Sequence, residues 1–359
     1  MSGDGSPRDG RARRAGVVVA IVALFVLGLG IFVLPFAFPT PPPVVTRFNA
    51  TRLFSPDGDG RREDAKVNVR LSEPAAVTVE VQKDGTTVRR LITDRTAPRG
   101  WVREDWDGRD DDGQVVPDGT YALKLRAHAG KKQFNTTRAI VVDTEAPRPA
   151  EMTVESATLG KPGPGECRVS FSSRDEGSVL FEAFREGPVA AGTAASSDAV
   201  RRLGPRPVRP GDAVTWRWDG RRADGGQVPP GLYLIRASLF DAARNRVVRD
   251  RTCWVGYLAG TAVPSSVAPR QLVGADLRRT DGDPLPSGNT VTLALYRRTG
   301  TPGETLGDPL GAQVGGGARG PAGTVRVKVP PRINPSALWL VARTDDGLSA
   351  ALVALRGSP

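Results

Sequence analysis

A stretch of sixteen residues, Trp106 to Tyr121 (WDGRDDDGQVVPDGTY), returns without a gap as Trp218 to Tyr233 (WDGRRADGGQVPPGLY). Ten positions agree, and Val88-Arg89-Arg90-Leu91 reappears as Val200-Arg201-Arg202-Leu203 at the same offset of 112. An ungapped internal match means two copies of one structural unit. Within each copy, Asp-Gly marks a turn, because Gly accepts positive φ and Asp bonds its own backbone. Pro followed two residues later by Gly marks a second turn. Tyr121, Leu123, Leu125 and Ala127 then alternate with Ala122, Lys124, Arg126 and His128, the period of a strand with one wet face. Tyr233, Ile235, Ala237 and Leu239 repeat the pattern. The tryptophan that opens each stretch is placed to anchor a core at the end of the preceding strand.

These residues resemble the immunoglobulin-like domain of the flagellar hook-capping (FlgD-type) family, whose hairpin reads W-D-G-x-D-x-x-G-x-x-V-P-x-G-x-Y. Copy one keeps the acidic residue at Asp110, whereas copy two has Arg222 there. The resemblance implies small β-sandwiches of a kind used as modules in bacterial surface and secreted proteins. The expected fold is all-β: tandem Ig-like sandwiches after an N-terminal transmembrane helix.

The 359 residues have room for two or three domains. High Gly and Pro counts, 42 and 31, suit many short strands joined by turns. The net charge is +11, and only seven of the 50 basic residues are Lys. Arginines scattered through strands, with Ala and Gly richness, point to a GC-rich, actinobacterial genome rather than to nucleic-acid binding. Net charge bears on non-specific association, so anionic wall polymers or lipid headgroups are the expected partners, and nucleic acid is not. Cys167 and Cys253 stand near the two ends of the second repeat. Outside the cell a disulfide between them is allowed; it would tie the first strand of that domain to its last.

Residues 1–14 are polar, with Arg8, Arg11, Arg13 and Arg14, and Ala15 to Phe38 is uncharged. At 1.5 Å per residue, 24 helical residues span roughly 36 Å, enough for the hydrocarbon core of a bilayer. Arginines ahead of the run place the N-terminus in the cytoplasm. The run is too long for a cleaved signal core and ends at Pro35 and Pro39 without a cleavage site. The expectation is a signal anchor (15–38) in the plasma membrane, after a cytoplasmic tail (1–14) and before a Pro-rich spacer (39–43).

Domain one is expected over 44–146. Its head loop, Phe54 to Asp64 (FSPDGDGRRED), resembles the F-S-P-N-G-D-G-x-x-D motif of many bacterial Ig-like domains. Asp57, Asp59, Glu63 and Asp64 invite a calcium reading, since Ca²⁺ wants several oxygens from a tight loop. An EF-hand is excluded, because Asn68 falls where the bidentate Glu belongs. The competing reading is an Asx-turn loop that only caps the sandwich. Strands are expected over 65–71, 76–82, 86–92 and 133–142, with a Lys83-Asp84-Gly85 turn. Asp143-Thr144-Glu145-Ala146-Pro147 resembles the linker between such domains. Domain two, 147–256, has strands over 167–172 and 178–184, and a Leu239–Asn245 segment resembling the D-x-A-G-N turn between the last two strands. Residues 257–359 form an expected third small β-domain, with strands over 290–296, 324–329 and 338–342 and a mobile loop from Gly303 to Gly323.

The lone histidine, His128, reads as a surface strand residue. The expected pairing of the two Cys has buried free thiols as its alternative; with the pairing, and with one His, no Ser-His-Asp or Cys-His catalytic site and no His-rich zinc site is left. The chain therefore reads as a non-enzymatic, membrane-anchored extracytoplasmic protein for adhesion, wall contact or scaffolding of another envelope protein. The alternative is an accessory subunit of a secreted or membrane-bound enzyme. Contact is expected through the hairpin loops, Asp110, Asp111 and Asp112 in copy one and Arg221 and Arg222 in copy two, because sandwich loops gather at the ends and vary freely.

Overall fold

The computed structural model describes residue 24 and residues 42–156, 167–185, 198–279, 283–286, 288–302, 310–347 and 349–358. The expected cytoplasmic tail and, apart from Leu24, the expected membrane anchor lie outside these, as do the first residues of the Pro-rich spacer. Among the described residues no helix is long and apolar enough to cross a membrane. The chain forms two compact units. Among the described residues, the first holds those up to Arg52 with 65–114 and 120–140, and the second holds 53–64, 115–119 and those from Val141 onward.

The first copy contributes β1 (Val45–Ala50), β2 (Leu53–Phe54), β3 (Ala65–Leu71), β4 (Ala75–Lys83), β5 (Thr86–Ala97), β6 (Gly100–Trp106), β7 (Gly119–Ala129) and β8 (Lys132–Val142). They make two sheets, ordered β1-β3-β6 and β2-β8-β7-β4-β5. In β3, Ala65, Val67, Val69 and Leu71 are buried while Lys66 and Arg70 face water. β4 does the same with Val77, Val79 and Val81. Each such Val or Leu contributes roughly 1.5–3 kcal/mol of burial. Asp84 and Gly85 take φ of 49° and 84°, the two left-handed residues of a type I′ hairpin. His128 is exposed on β7, as expected.

The second copy contributes β9 (Pro149–Ser156), β10 (Cys167–Ser173), β11 (Gly177–Arg185), β12 (Arg201–Val208), β13 (Ala213–Trp218), β14 (Gly231–Phe240) and β15 (Arg246–Val255). Its sheets are β13-β10-β9 and β12-β11-β14-β15. A disulfide joins Cys167 on β10 to Cys253 on β15, with Cα atoms 6.2 Å apart, and so stitches one sheet to the other. The expectation that Cys167 lies on the first strand is corrected: β9 precedes it and pairs with β10 along its edge. β14 also departs from its counterpart. Leu234, Arg236 and Ser238, on its outward side, are buried together with the core-facing Tyr233, Ile235, Ala237 and Leu239. Arg236 meets the buried Asp250 in two bonds of 2.9 and 3.0 Å, so that charge is paired inside the fold.

Residues after Gly256 form β16 (Leu258–Val263), β17 (Leu272–Arg279), β18 (Thr290–Arg298), β19 (Leu310–Pro321), β20 (Val327–Lys328), β21 (Leu338–Thr344) and β22 (Ala350–Ala354). Their sheets, β16-β17-β20 and β19-β18-β21-β22, enclose a core around Leu277, Leu293, Leu295, Val329 and Leu340. The loop expected from Gly303 to Gly323 is corrected over its second half: Leu310–Pro321 is a strand paired with β18, and 303–309 lie outside the described residues. The pairing needs glycine, because a Cβ on Gly316 would stand 2.7 Å from both Ala294 Cα and Leu293 O. The strand expected over 324–329 shrinks to Val327–Lys328. Trp254 at the end of β15 packs with Trp339, Val341 and Leu352. Gly256 accepts the Ala350 amide at 2.6 Å, and no side chain fits there because Ala350 O lies 2.2 Å from where its Cβ would be.

Candidate functional site

Each hairpin loop is built from its tryptophan outward. Trp106 and Trp218 close β6 and β13, are 0% and 1% exposed, and meet Tyr121 and Tyr233 edge-on at 5.4 and 5.0 Å. Each indole N–H donates to the carbonyl three residues on, Arg109 or Arg221, at 2.8 Å. Those arginines donate back across the turn, to Gly113 O at 2.8 Å and Gly225 O at 2.9 Å, and their guanidinium groups lie 3.9 and 3.7 Å from the Asp107 and Asp219 carboxylates. Asp107 and Asp219 each take the amide two residues on, at 3.1 Å in both copies. The motif thus satisfies much of its own turn internally.

The residues expected to make contacts differ in how much this framework uses them. Asp110 accepts the amides of Asp112 and Gln114 at 3.0 and 2.8 Å. Asp111 accepts the Arg90 amide at 2.9 Å and pairs with its guanidinium at 2.8 Å. The acidic loop of copy one is therefore largely occupied in holding itself against β5. In copy two Arg221 repeats the internal role of Arg109, while the Arg222 side chain is exposed and makes no ion pair among the described residues. Asp112 is also exposed and makes no ion pair among the described residues.

In the head loop, Asp57, Asp59 and Glu63 gather with oxygens within 4.8 Å of one another; Asp64 is not in the group. Both Glu63 oxygens accept amides, from Gly58 at 2.9 Å and Gly60 at 2.7 Å. Asp57 and Asp59 each accept the amide two residues on, at 3.1 and 2.8 Å. Gly58 and Gly60, at φ of 83° and 80°, supply the bends. The same amide bonds hold an Asx-type loop, and the carboxylates keep further lone pairs for a cation such as Ca²⁺, which takes six to eight oxygens.

A second assembly went unread as a unit in the sequence. Asn245, 1% exposed, donates through its amide nitrogen to Asp143 O, Glu145 O and Asp241, at 2.9, 3.1 and 2.8 Å. Its amide oxygen takes the Ser55 hydroxyl at 2.5 Å, and Arg62 donates to Ala242 O at 2.7 Å. The head loop, the D-T-E-A-P segment and the D-A-A-R-N turn, each readable singly, meet at this one side chain. Burial and the neighbouring Asp241 carboxylate push the Asp143 carboxyl above its ordinary value.

Two cavities have no such polar focus. One of about 350 Å³ is lined by Thr261, Ser265, Leu352 and Arg356 among others, and one of about 500 Å³ by Asn49, Arg52, Thr137 and Arg138. Neither lining holds a carboxylate, an imidazole or a thiol.

Paired antiparallel sheets closed over aromatic and aliphatic cores, with decorated hairpins at their ends, define the class as Ig-like β-sandwich. Residues 57–131 match the family of the FlgD Ig-like domain, and the first copy carries that domain. No curated protein matches the chain. Among solved structures, a bacterial ice-binding adhesin segment is 12% identical, with 89% of this chain and 99% of that one covered and a TM-score of 0.29. A tetra-tandem repeat from the extending region of a large adhesion protein is 12% identical over 87% of this chain and 75% of that one, at a TM-score of 0.24. Salmonella alpha-2-macroglobulin is 14% identical over 89% of this chain, which spans about a quarter of its length (24%), at a TM-score of 0.25. At scores this low none of them bears on function.

Proposed function

We propose that this is a non-enzymatic, single-pass membrane protein whose β-sandwiches stand outside the cytoplasm and contact the cell envelope, as an adhesive or scaffolding stalk. The observation that carries the reading is the disulfide between Cys167 and Cys253 inside an Ig-like sandwich. Disulfides persist in oxidising compartments and are rare in the cytosol, and the first copy is a FlgD-type module. The uncharged run 15–38 supplies the anchor, and the arginines before it set the orientation. Candidate contacts are the side chains that the hairpins leave unengaged, Asp112 and Arg222.

The test is a C-terminal tag on the full chain in living cells. Protease added outside intact cells removes the tag if the reading holds; a protected tag overturns it. Cross-linking in the same cells separates the two versions of the role. Co-purified wall polymer supports the stalk, whereas one abundant enzyme partner makes the chain an accessory subunit.

A further inference from the structure

The two copies carry their charge differently on one edge of the sandwich. From Arg89 to Asp112 there are six Arg and seven acidic residues, 6 − 7 = −1. From Arg201 to Asp224, the same length at the repeat offset, there are seven Arg and three acidic residues, 7 − 3 = +4. The structure explains the excess position by position. In copy one Lys66 faces Asp105 across β3 and β6. In copy two the corresponding pair is Arg168 facing Arg217 across β10 and β13, with Glu155 of β9 3.9 Å from Arg168 on its other side and no acidic residue opposite Arg217. Like charges directly opposite on one sheet face destabilise it. Arg95 pairs with Glu104 at 3.3 Å in copy one. Arg206 stands opposite Val179 as Arg95 stands opposite Val77, but the position of Glu104 is taken by the buried Trp216. Asp110 and Asp111 are replaced by Arg222 and Ala223.

Arg206, Arg209, Arg217 and Arg222 are all exposed, and none makes an ion pair among the described residues. They lie on β12 and β13, the edge strands of the two sheets of this sandwich, and on the turns at either end. At roughly 3.3 Å per residue the row extends about 20 Å, from Arg222 at the hairpin to Arg209 at the far turn. Guanidinium groups bind phosphate oxygens in a bidentate fork. A row of unpaired arginines along an edge suits a linear ligand with repeated charges better than a compact anion.

We infer that the β12–β13 edge of the second copy binds a linear phosphodiester polymer of the cell envelope. The inference rests on the extracytoplasmic reading above and names its ligand class. The polymer supplies the counter-charge that Glu104 and Asp111 supply in the first copy.

The experiment titrates the full chain, in detergent, with labelled poly(glycerol phosphate) at several salt concentrations. A variant with Arg206→Ser, Arg209→Ser, Arg217→Ser and Arg222→Ser is compared with one losing the same charge from the first copy, Arg52→Ser, Arg99→Ser, Arg103→Ser and Lys131→Ser. All eight positions are exposed, and melting curves verify that both variants fold. The edge variant is expected to bind at least tenfold more weakly near physiological salt, as a loss of about four phosphate contacts predicts, and the slope of log K against log salt to fall by about three. The first-copy variant changes affinity by less than about twofold. Equal losses in the two variants, or no loss in either, overturn the assignment. Tighter binding of duplex DNA or of phosphatidylglycerol vesicles through the same arginines overturns the choice of polymer. A C-terminus found inside the cell defeats the reading beneath the inference; a C-terminus outside, with equal losses, defeats the edge alone.

Discussion

The first and second copies build the same hairpin and put it to different ends. Indole-to-carbonyl bonds of 2.8 Å, guanidinium-to-glycine bonds of 2.8 and 2.9 Å, and aspartate-to-amide bonds of 3.1 Å recur in both. Around this shared frame the first copy pairs Arg90 with Asp111 and Arg95 with Glu104, while in the second Arg206, Arg209, Arg217 and Arg222 make no ion pair among the described residues. Where the first copy has Ala65 opposite Trp106, the second has Cys167 opposite Trp218, bonded to Cys253 in the other sheet. The comparison separates what the hairpin demands (tryptophan, Asp-Gly, tyrosine) from what it tolerates. Charge at the turn and on β6 or β13 is free to vary because those side chains face water.

The covalent difference gives the largest expected effect. Reduction, or Cys167→Ala with Cys253→Ala, releases a closed loop of 86 residues and costs the second copy about 4–5 kcal/mol on the loop-entropy model. Calorimetry with and without reductant should move the transition of the second unit and leave the first in place; a common shift would break the separation. Next, Trp106→Ala and Trp218→Ala each remove a fully buried anchor, at about 3–5 kcal/mol. Denaturant midpoints should fall for both, more sharply in the oxidised second copy, where the adjacent disulfide limits collapse around the cavity. Asp111→Ala gives the first copy the residue of the second. It removes a half-exposed pair with Arg90, so urea unfolding should lose at most about 1 kcal/mol. Arg217→Asp goes the other way and offers Arg168 the opposite charge. It should stabilise the second copy by a few tenths of a kcal/mol while weakening polymer binding. Finally, millimolar calcium against chelator should leave melting temperatures unchanged if the amide-held head loop is a cap alone; a calcium-dependent rise would establish an ion site at Asp57, Asp59 and Glu63.

Legibility followed exposure. β3 and β4 alternate between core and water, so their period-2 pattern located them within a residue. The tryptophans and the cysteine pair were readable because few environments suit such side chains. β9, which begins at Pro149, carried no comparable signal. β19 was hidden by its glycines, which are there because the partner backbone comes too close for a Cβ at Gly316. The arginine edge was invisible for another reason. Arg206 and Arg217 lie on different strands, and only their shared place on the edge, with the loss of Glu104's counterpart, makes them one feature. Likewise Ser55 and Asn245 are 190 residues apart and meet only in the fold.

The disulfide has a mechanical consequence for a chain proposed to be anchored at one end and engaged along its length. Pulled from its termini, the second copy would transmit tension from Cys167 to Cys253 through the sulfur bridge rather than through its sheets. The 86 residues of sequence separation, roughly 290 Å of extended chain at about 3.4 Å per residue, would then be withheld from stretching. Under load the first copy would act as the extensible element and the second as a link of fixed length, carrying its arginine edge at a nearly constant distance from whatever the chain holds beyond Gly256.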